Sequence, residues 1–286
     1  MFLPSRRSAG LSLLEWLVAS FIAWSLIAAA LVQTVSARRS QRLQAAQTLL
    51  AEDAQIAIDL LRADLMMAGY ARPLRVVQSP GGPASWQTAL AAAPLWACDH
   101  GFVSLPSNAQ PACAAAPASG SPSSSAVEIS YEADGYSTVL GSDGRPTDCL
   151  GNGLDASTAA DGSRVYIAYN RWQLVSGARS ELRCGGRGST GPQPLVDNVE
   201  RLLLSWGLAV DAGPGTALRF VGAAQVSDFR QVKAARLCLL MRSSDPVLGP
   251  DDVRDYTDCT GSIARSEDGR LRRAFWSTVA LRNGGP

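Results

Sequence analysis

The sequence contains one histidine, His100, and one lysine, Lys233, among its 286 residues. A Ser-His-Asp triad would therefore have to be built around His100. No G-x-S-x-G turn or P-loop lysine accompanies it, and no D-x-[DN]-x-[DN]-G calcium loop occurs. We expect no enzymatic activity, no cofactor and no metal ion. The neighbouring acids Asp251 and Asp252 are interpreted as a solvated turn after Pro250.

Charge is also scarce and balanced. Charged residues make up 18% of the chain, and 26 Lys+Arg face 25 Asp+Glu, for a net charge of +1. Proteins that bind nucleic acid through a general positive field need clustered basic charge, so we expect no nucleic-acid partner. Hydrophobic residues make up 47%, which excludes an intrinsically disordered chain.

The apolar residues are concentrated near the N-terminus. Residues 11–32 have only Ser12, Glu15, Ser20 and Ser25 as polar members. As a helix this run measures about 33 Å, enough to cross a hydrocarbon core of about 30 Å. No later run approaches this length. We expect a single membrane anchor, with everything after about residue 36 on one side of the membrane.

Three interpretations of this N-terminal segment compete. The run is too long for a secretory signal peptide, and no A-x-A-like cleavage site precedes Gln33. An ordinary signal anchor fits better, with Arg6 and Arg7 in the cytoplasm. The third interpretation starts from Glu15, because a carboxylate in an apolar span costs about 2.5–3.5 kcal/mol. Near the start of the span, Glu15 could also reach the headgroups.

The order of residues around Glu15 resembles the type IV prepilin signature. The basic leader MFLPSRRSAG ends in Gly10, and Leu11 to Glu15 then open the apolar helix. The resemblance implies that a prepilin peptidase cuts between Gly10 and Leu11 and methylates the new amine of Leu11. It also implies that Glu15 is a counter-ion for the N-terminal ammonium of a neighbouring subunit. The chain departs from the usual pattern at Leu11, where Phe is commoner, and at Trp16.

The helical pattern continues beyond the membrane. Residues 36–70 contain no proline and no glycine before Gly69. Apolar residues recur there at spacings of three and four, which is typical of one buried helix face. These residues are Leu43, Ala46, Leu50, Ala54, Ala57, Leu61, Leu65 and Ala68. Gly69 and Pro73 predict the end of the helix.

The rest of the chain divides into two parts. Residues 71–125 are rich in Pro, Gly, Ser and Ala and are interpreted as an irregular, exposed region. Residues 126–286 alternate short β-like runs with Asp-Gly turns. Candidate strands are 126–131, 136–140, 165–172, 201–210, 233–241 and 272–281.

The predicted fold is α+β, with a long N-terminal α-helix packed on a C-terminal antiparallel β-sheet. The expected divisions are leader 1–10, membrane helix 11–35, amphipathic helix 36–70, irregular region 71–125 and β-rich domain 126–286.

Four segments resemble blocks of the PilW family of minor pilins: 56–70, 195–211, 232–243 and 271–283. The resemblance implies a protein that primes type IV pilus assembly from the inner membrane, with its body in the periplasm, and then enters the pilus. Implied partners are the prepilin peptidase, other minor pilins, the major pilin, the inner-membrane assembly platform and the membrane itself. Two alternatives remain open: a J-type pseudopilin of type II secretion, and a membrane-anchored periplasmic enzyme or binding protein.

The six cysteines favour disulfides if the body lies outside the cytoplasm. They allow 15 connectivities. We take pairing in chain order as the expectation: Cys98 with Cys113, Cys149 with Cys184, and Cys238 with Cys259. The last pair would close a loop in the region where pilins often carry a disulfide. A zinc site at Cys98, Asp99, His100 and Cys113 is the alternative, which the absence of a C-x₂-C pair disfavours.

Overall fold

The computed structural model describes residues 12–78, 84–90, 93–103, 111–116, 123–175, 180–186, 191–210 and 217–282. The predicted leader 1–10 and the predicted cleavage position between Gly10 and Leu11 lie outside these residues. The predicted helix is confirmed. It forms α1, Leu13–Met67, with Ser12 as its N-cap. It ends before Gly69, whose φ of 76° suits a residue without a Cβ atom.

In the described part of the chain, fourteen strands follow the helix. Their bounds are β1 Pro73–Gln78, β2 Ala84–Thr88, β3 Leu95–Cys98, β4 Ala126–Glu132, β5 Ala156–Thr158, β6 Arg164–Val175, β7 Glu181–Gly186, β8 Gln193–Asp197, β9 Val199–Ala209, β10 Leu218–Val221, β11 Val232–Pro246, β12 Asp255–Thr257, β13 Ile263–Arg265 and β14 Arg270–Ala280. Two short 3₁₀ helices, Ala223–Gln225 and Phe229–Gln231, lie between β10 and β11.

The strands form two main antiparallel sheets. The first has the order β3-β4-β6-β7-β8, with β5 paired to β6, and the second has the order β10-β9-β11-β14. Two further hairpins, β1-β2 and β12-β13, stand apart from them. The α+β class is therefore confirmed, although the antiparallel β structure is divided between two main sheets.

The second half of α1 packs on both main sheets, against β4 and β8 of one and β11 and β14 of the other. Leu50, Ala54, Ala57, Leu61 and Leu65 are buried, as the apolar spacing predicts. They share one core cluster with side chains from both sheets, including Ile129, Trp172, Trp206 and Leu239. The helix thus joins the two sheets around a single hydrophobic core.

Region 71–125 was predicted to be irregular, and the structure corrects this prediction. It contains β1, β2 and β3, and Leu95 and Cys98 of β3 are almost fully buried. Strand β3 pairs with β4, while Cys98 is bonded to Cys113 across the following loop. A strand pairing and a disulfide order a segment whose composition lacks a periodic pattern.

The predicted strand 136–140 is wrong. Asp134 accepts hydrogen bonds from the backbone N–H groups of Tyr136 and Ser137, at 2.9 and 2.8 Å, and thereby closes a turn. Short polar side chains that bond to nearby backbone compete with strand formation in this way. Tyr136 and Val139 are left exposed. The other five predicted strands form, each with its boundaries shifted by a few residues.

Strand β11 has two covered faces over part of its length. Leu237, Leu239 and Met241 face the main core, since alternate side chains of a strand point to the same face. Cys238 and Leu240 on the opposite face are also buried, in a small cluster with Cys259. The segment that carries Cys259 follows hairpin strand β12 and covers this outer face.

Candidate functional site

The first half of α1 is an apolar surface. Its large hydrophobic side chains are exposed in the isolated chain: Leu13, Leu14, Trp16, Leu17, Val18, Phe21, Ile22, Trp24, Leu26, Ile27, Leu31, Val32 and Val35. Among the described residues, α1 is the helix long and apolar enough to cross a membrane. An apolar surface this large is rarely left exposed to water, and it indicates a contact with a membrane or with another protein. The same continuous helix therefore has an uncovered half and a half that is buried in the body.

Glu15 lies at the exposed tip of this helix. Its carboxylate accepts a hydrogen bond from the backbone N–H of Ser12 at 2.9 Å, and its own N–H donates to the Ser12 hydroxyl at 3.2 Å. These two reciprocal bonds form a capping box, which satisfies two of the free donors at a helix N-terminus. The carboxylate thus bonds to Ser12, which follows in the chain the residue whose amine the predicted cleavage would create.

Asp64 attaches the other half of the helix to the first sheet. It accepts hydrogen bonds from Trp172 Nε1 at 2.6 Å, from Asn170 Nδ2 at 3.0 Å and from the Tyr131 hydroxyl at 3.4 Å. Burial raises the pKa of Asp64 to about 6, although the three donors act in the opposite direction. Sequence reasoning missed this cluster. The sequence feature that could have indicated it is the position of Asp64, a carboxylate three residues after Leu61 on the apolar face of the helix.

A second attachment lies just beyond the apolar half. Arg39 Nη2 is 2.8 Å from Asp252 Oδ1, in the segment between β11 and β12. The hydrogen bond from Arg39 lowers the pKa of Asp252 below its usual value. Asp251 and Asp252 do lie in a turn, where Asp252 N donates to the Gly249 carbonyl, but the Asp252 side chain is paired with Arg39 and is not only solvated. A contact across more than 200 residues of chain leaves no local sequence signal.

All six cysteines are paired in chain order. The structure joins Cys98 to Cys113, Cys149 to Cys184 and Cys238 to Cys259. Each bridge links a strand to a loop or a turn. The first closes the loop after β3, the second joins the turn after Asp148 to β7, and the third fixes the β12-β13 region on β11. Intramolecular disulfides are typical of proteins outside the cytoplasm.

Replacing both Cys238 and Cys259 with serine is expected to destabilise the body. The bridge closes a loop with a sequence separation of 21 residues. Chain-entropy arguments assign about 3 kcal/mol to a loop of this size. Urea unfolding of the detergent-solubilised full chain, followed by tryptophan fluorescence, measures the change. A midpoint equal to that of the unsubstituted protein would contradict a stabilising role for this bridge.

The alternative zinc site is not assembled. Cys98 and Cys113 are bonded to each other, and Asp99 accepts hydrogen bonds from Ala223 N and Ala224 N at 2.7 and 2.9 Å. Asp99 therefore ties the loop after β3 to the first 3₁₀ helix. Within the described ranges, no group of three or more His, Cys, Asp or Glu side chains is arranged to hold a metal ion.

Comparisons with known proteins connect this architecture to a family. A family model described as Type IV Pilus-assembly protein W, PilW, matches residues 168–283. Three of the four blocks that resemble this family from sequence, 195–211, 232–243 and 271–283, lie inside the match. The resemblance is confirmed over that stretch, while block 56–70 lies outside it.

One solved structure similar to the chain is the Type IV-like pilin TTHA1219 from Thermus thermophilus. It is 14% identical, and the alignment covers 82% of this chain and 98% of that chain with a TM-score of 0.40. The curated proteins contain no match.

Proposed function

Taking the match of residues 168–283 to the PilW family as the premise, we propose that this chain is a minor pilin that helps to initiate type IV pilus assembly. The observation that carries the proposal is the divided helix α1, one half docked on the body and the other half apolar and exposed. A subunit that is stored in a membrane and then moved into a filament needs such a helix. Its apolar half must be covered by lipid first and by other helices afterwards.

Processing is the first step of the proposed sequence. The prepilin peptidase cuts between Gly10 and Leu11 on the cytoplasmic face and methylates the amine of Leu11. Removing the leader takes away Arg6 and Arg7 and leaves a charged N-terminus beside the apolar helix. The membrane holds the processed chain by residues 11–35, with the disulfide-bonded body in the periplasm.

Glu15 then guides assembly by charge. In the unassembled chain its carboxylate bonds to the Ser12 N–H at the exposed end of the helix. We propose that in the filament it pairs with the N-terminal ammonium of a neighbouring subunit. Opposite charges attract strongly in a low-dielectric helical bundle, and each offsets part of the desolvation cost of the other. This pairing would set the axial register between subunits.

The proposed partners follow from these steps. They are the prepilin peptidase, the other minor pilins, the major pilin and the inner-membrane assembly platform. Priming means that a few minor pilins form a short complex on which the major pilin polymerises, which places this chain near the pilus tip. The role is structural, and the interactions run through helix α1 and the periplasmic body.

Deletion of the gene tests the proposal against a J-type pseudopilin of type II secretion. We expect the deletion strain to lose surface pili and twitching motility while it still secretes its exoproteins. A plasmid copy of the full chain should restore motility. Loss of secretion with normal pili would overturn the assignment in favour of the secretion machine. Loss of neither would favour a membrane-anchored periplasmic enzyme or binding protein.

A further inference from the structure

The segment between β11 and β12 contacts the helix close to the end of its apolar run. Arg39 lies seven residues after Val32, where the long apolar run ends. Seven helical residues span about 10 Å. The headgroup layer extends roughly 5–7 Å beyond the hydrocarbon core on each side. Helical side chains also lean toward the N-terminus, which brings the Arg39 guanidinium back toward that layer.

The ion pair and the hydrogen bonds around it hold this segment beside Arg39 on the helix. Asp252 Oδ1 contacts Arg39 at 2.8 Å, and Asp252 Oδ2 accepts a hydrogen bond from Gly249 N at 2.6 Å. Arg254 in turn donates to the Gly249 carbonyl at 3.2 Å. A Cβ atom on Gly249 would lie 2.6 Å from Arg39 Nη2, so the Gly249 backbone lies directly against the Arg39 guanidinium. Residues 249–254, which we name the foot loop, are thus held at the level of Arg39.

The foot loop presents an apolar tip. Val253 is 82% exposed, although the loop on either side of it is anchored by Asp252 and Arg254. Basic residues surround this level of the helix, since Arg38 and Arg42 flank Arg39 and are themselves exposed. Arginine next to an apolar side chain suits the boundary between lipid phosphates and hydrocarbon.

We propose that the foot loop rests on the lipid headgroups of the membrane that holds the helix, with Val253 directed into the interfacial layer. The occupant is a bilayer because the helix that carries Arg39 continues directly into the apolar span. The contact would hold the body at a set height and tilt before the subunit is extracted. This inference rests on the membrane-held state of the proposed function and does not depend on which filament the chain enters.

A fluorescent label tests the contact. Because all six native cysteines are bonded, Val253→Cys supplies a single free thiol for an NBD dye. Val139→Cys is the matched control, since Val139 is 80% exposed and lies in the loop after β4. Each full-length labelled protein is reconstituted in phosphatidylethanolamine/phosphatidylglycerol vesicles that contain a headgroup nitroxide lipid. We expect the nitroxide to quench the dye at position 253 severalfold more than at position 139.

The ion pair supplies a second variant. Arg39→Gln in the Val253→Cys background should reduce the quenching at position 253, because the foot loop then loses the ion pair that ties it to the helix at this level. Equal quenching at positions 253 and 139 in the unsubstituted background would overturn the inference. Vesicle flotation separates the two proposals. A chain that does not float with the vesicles contradicts the membrane-held state itself, whereas one that floats without selective quenching contradicts only the foot loop contact.

Discussion

Cells that carry Gly10→Val in place of the unsubstituted chain are expected to accumulate the uncut precursor and to assemble no pili. In the proposed processing step the peptidase has to approach the residue before the scissile bond closely, and a β-branched side chain at position 10 would block that approach. The uncut chain keeps Arg6 and Arg7 on its N-terminus and has no free amine at Leu11. Immunoblots of membrane fractions measure the ten-residue leader as a mass difference, and electron microscopy of sheared surface material measures piliation.

Glu15→Gln is the companion variant. It leaves the bond between Gly10 and Leu11 intact, so the chain should be cut normally. The neutral amide keeps an oxygen that can accept the Ser12 N–H bond but cannot pair with an ammonium charge. We therefore expect normal processing and stable membrane insertion with little or no incorporation into pili. Normal pili from the Gly10→Val strain would refute the processing step, and normal pili from Glu15→Gln would refute the charge pairing.

Asp64→Ala is expected to lower the free energy of unfolding by about 3 kcal/mol. The change removes the acceptor of the Trp172 indole N–H and leaves the Asn170 amide with only the Tyr131 hydroxyl as acceptor at the buried interface between helix and sheet. Each buried donor that loses its partner costs about 1–3 kcal/mol. Asp64→Asn keeps an acceptor oxygen and should cost less. Urea unfolding of the full chain in detergent measures both values, and equal stability of all three proteins would contradict this role.

Asp64 also predicts a pH dependence. Its pKa is raised to about 6 in the folded protein by burial, compared with about 3.9 for an unperturbed aspartate. The folded state therefore holds this proton more tightly than the unfolded state. The stabilisation is fully present below about pH 4 and is lost as the pH rises through about 6. Between pH 7 and pH 5 this group adds about 1 kcal/mol of stability.

A comparison of the unsubstituted chain with Asp64→Asn isolates the contribution of Asp64 to the pH dependence of stability. Unfolding curves at pH 5 and pH 7 are recorded for the unsubstituted chain and for Asp64→Asn, which cannot titrate. Tyr131 and Asp148 also face this carboxylate and are unchanged in the variant. The gain on acidification should be about 1 kcal/mol smaller in Asp64→Asn. Identical pH slopes for the two proteins would show that Asp64 does not titrate in this range.

The helix was predictable because its pattern is local. Spacings of three and four from Leu43 to Ala68, with Gly69 after them, define both its buried face and its end. Strands β4, β6, β9, β11 and β14 were predictable for the same reason, since each contains a run of apolar residues between polar or turn-forming segments. The strand predicted at 136–140 is absent because Asp134 accepts hydrogen bonds from the following backbone and closes a turn there.

Other parts depend on contacts that no local pattern encodes. Strand β3 is a short apolar run in a Pro- and Ala-rich stretch, and it is ordered by β4 and by the Cys98–Cys113 bridge. Strand β7 ends in two glycines and pairs with the longer β6 on one side and with the short β8 on the other. The Arg39–Asp252 pair and the Asp64 cluster each join residues far apart in the chain. Their partners become visible only when the helix and the two sheets are in place.

The N-terminus of the protein in its native membrane tests the central claim most directly. Intact-mass and peptide mass spectrometry of the chain purified from its source membranes would identify the first residue and any modification on it. We expect a mature chain that begins with N-methylated Leu11 and lacks residues 1–10. A chain that begins at Met1, with the bond between Gly10 and Leu11 uncut, would contradict it.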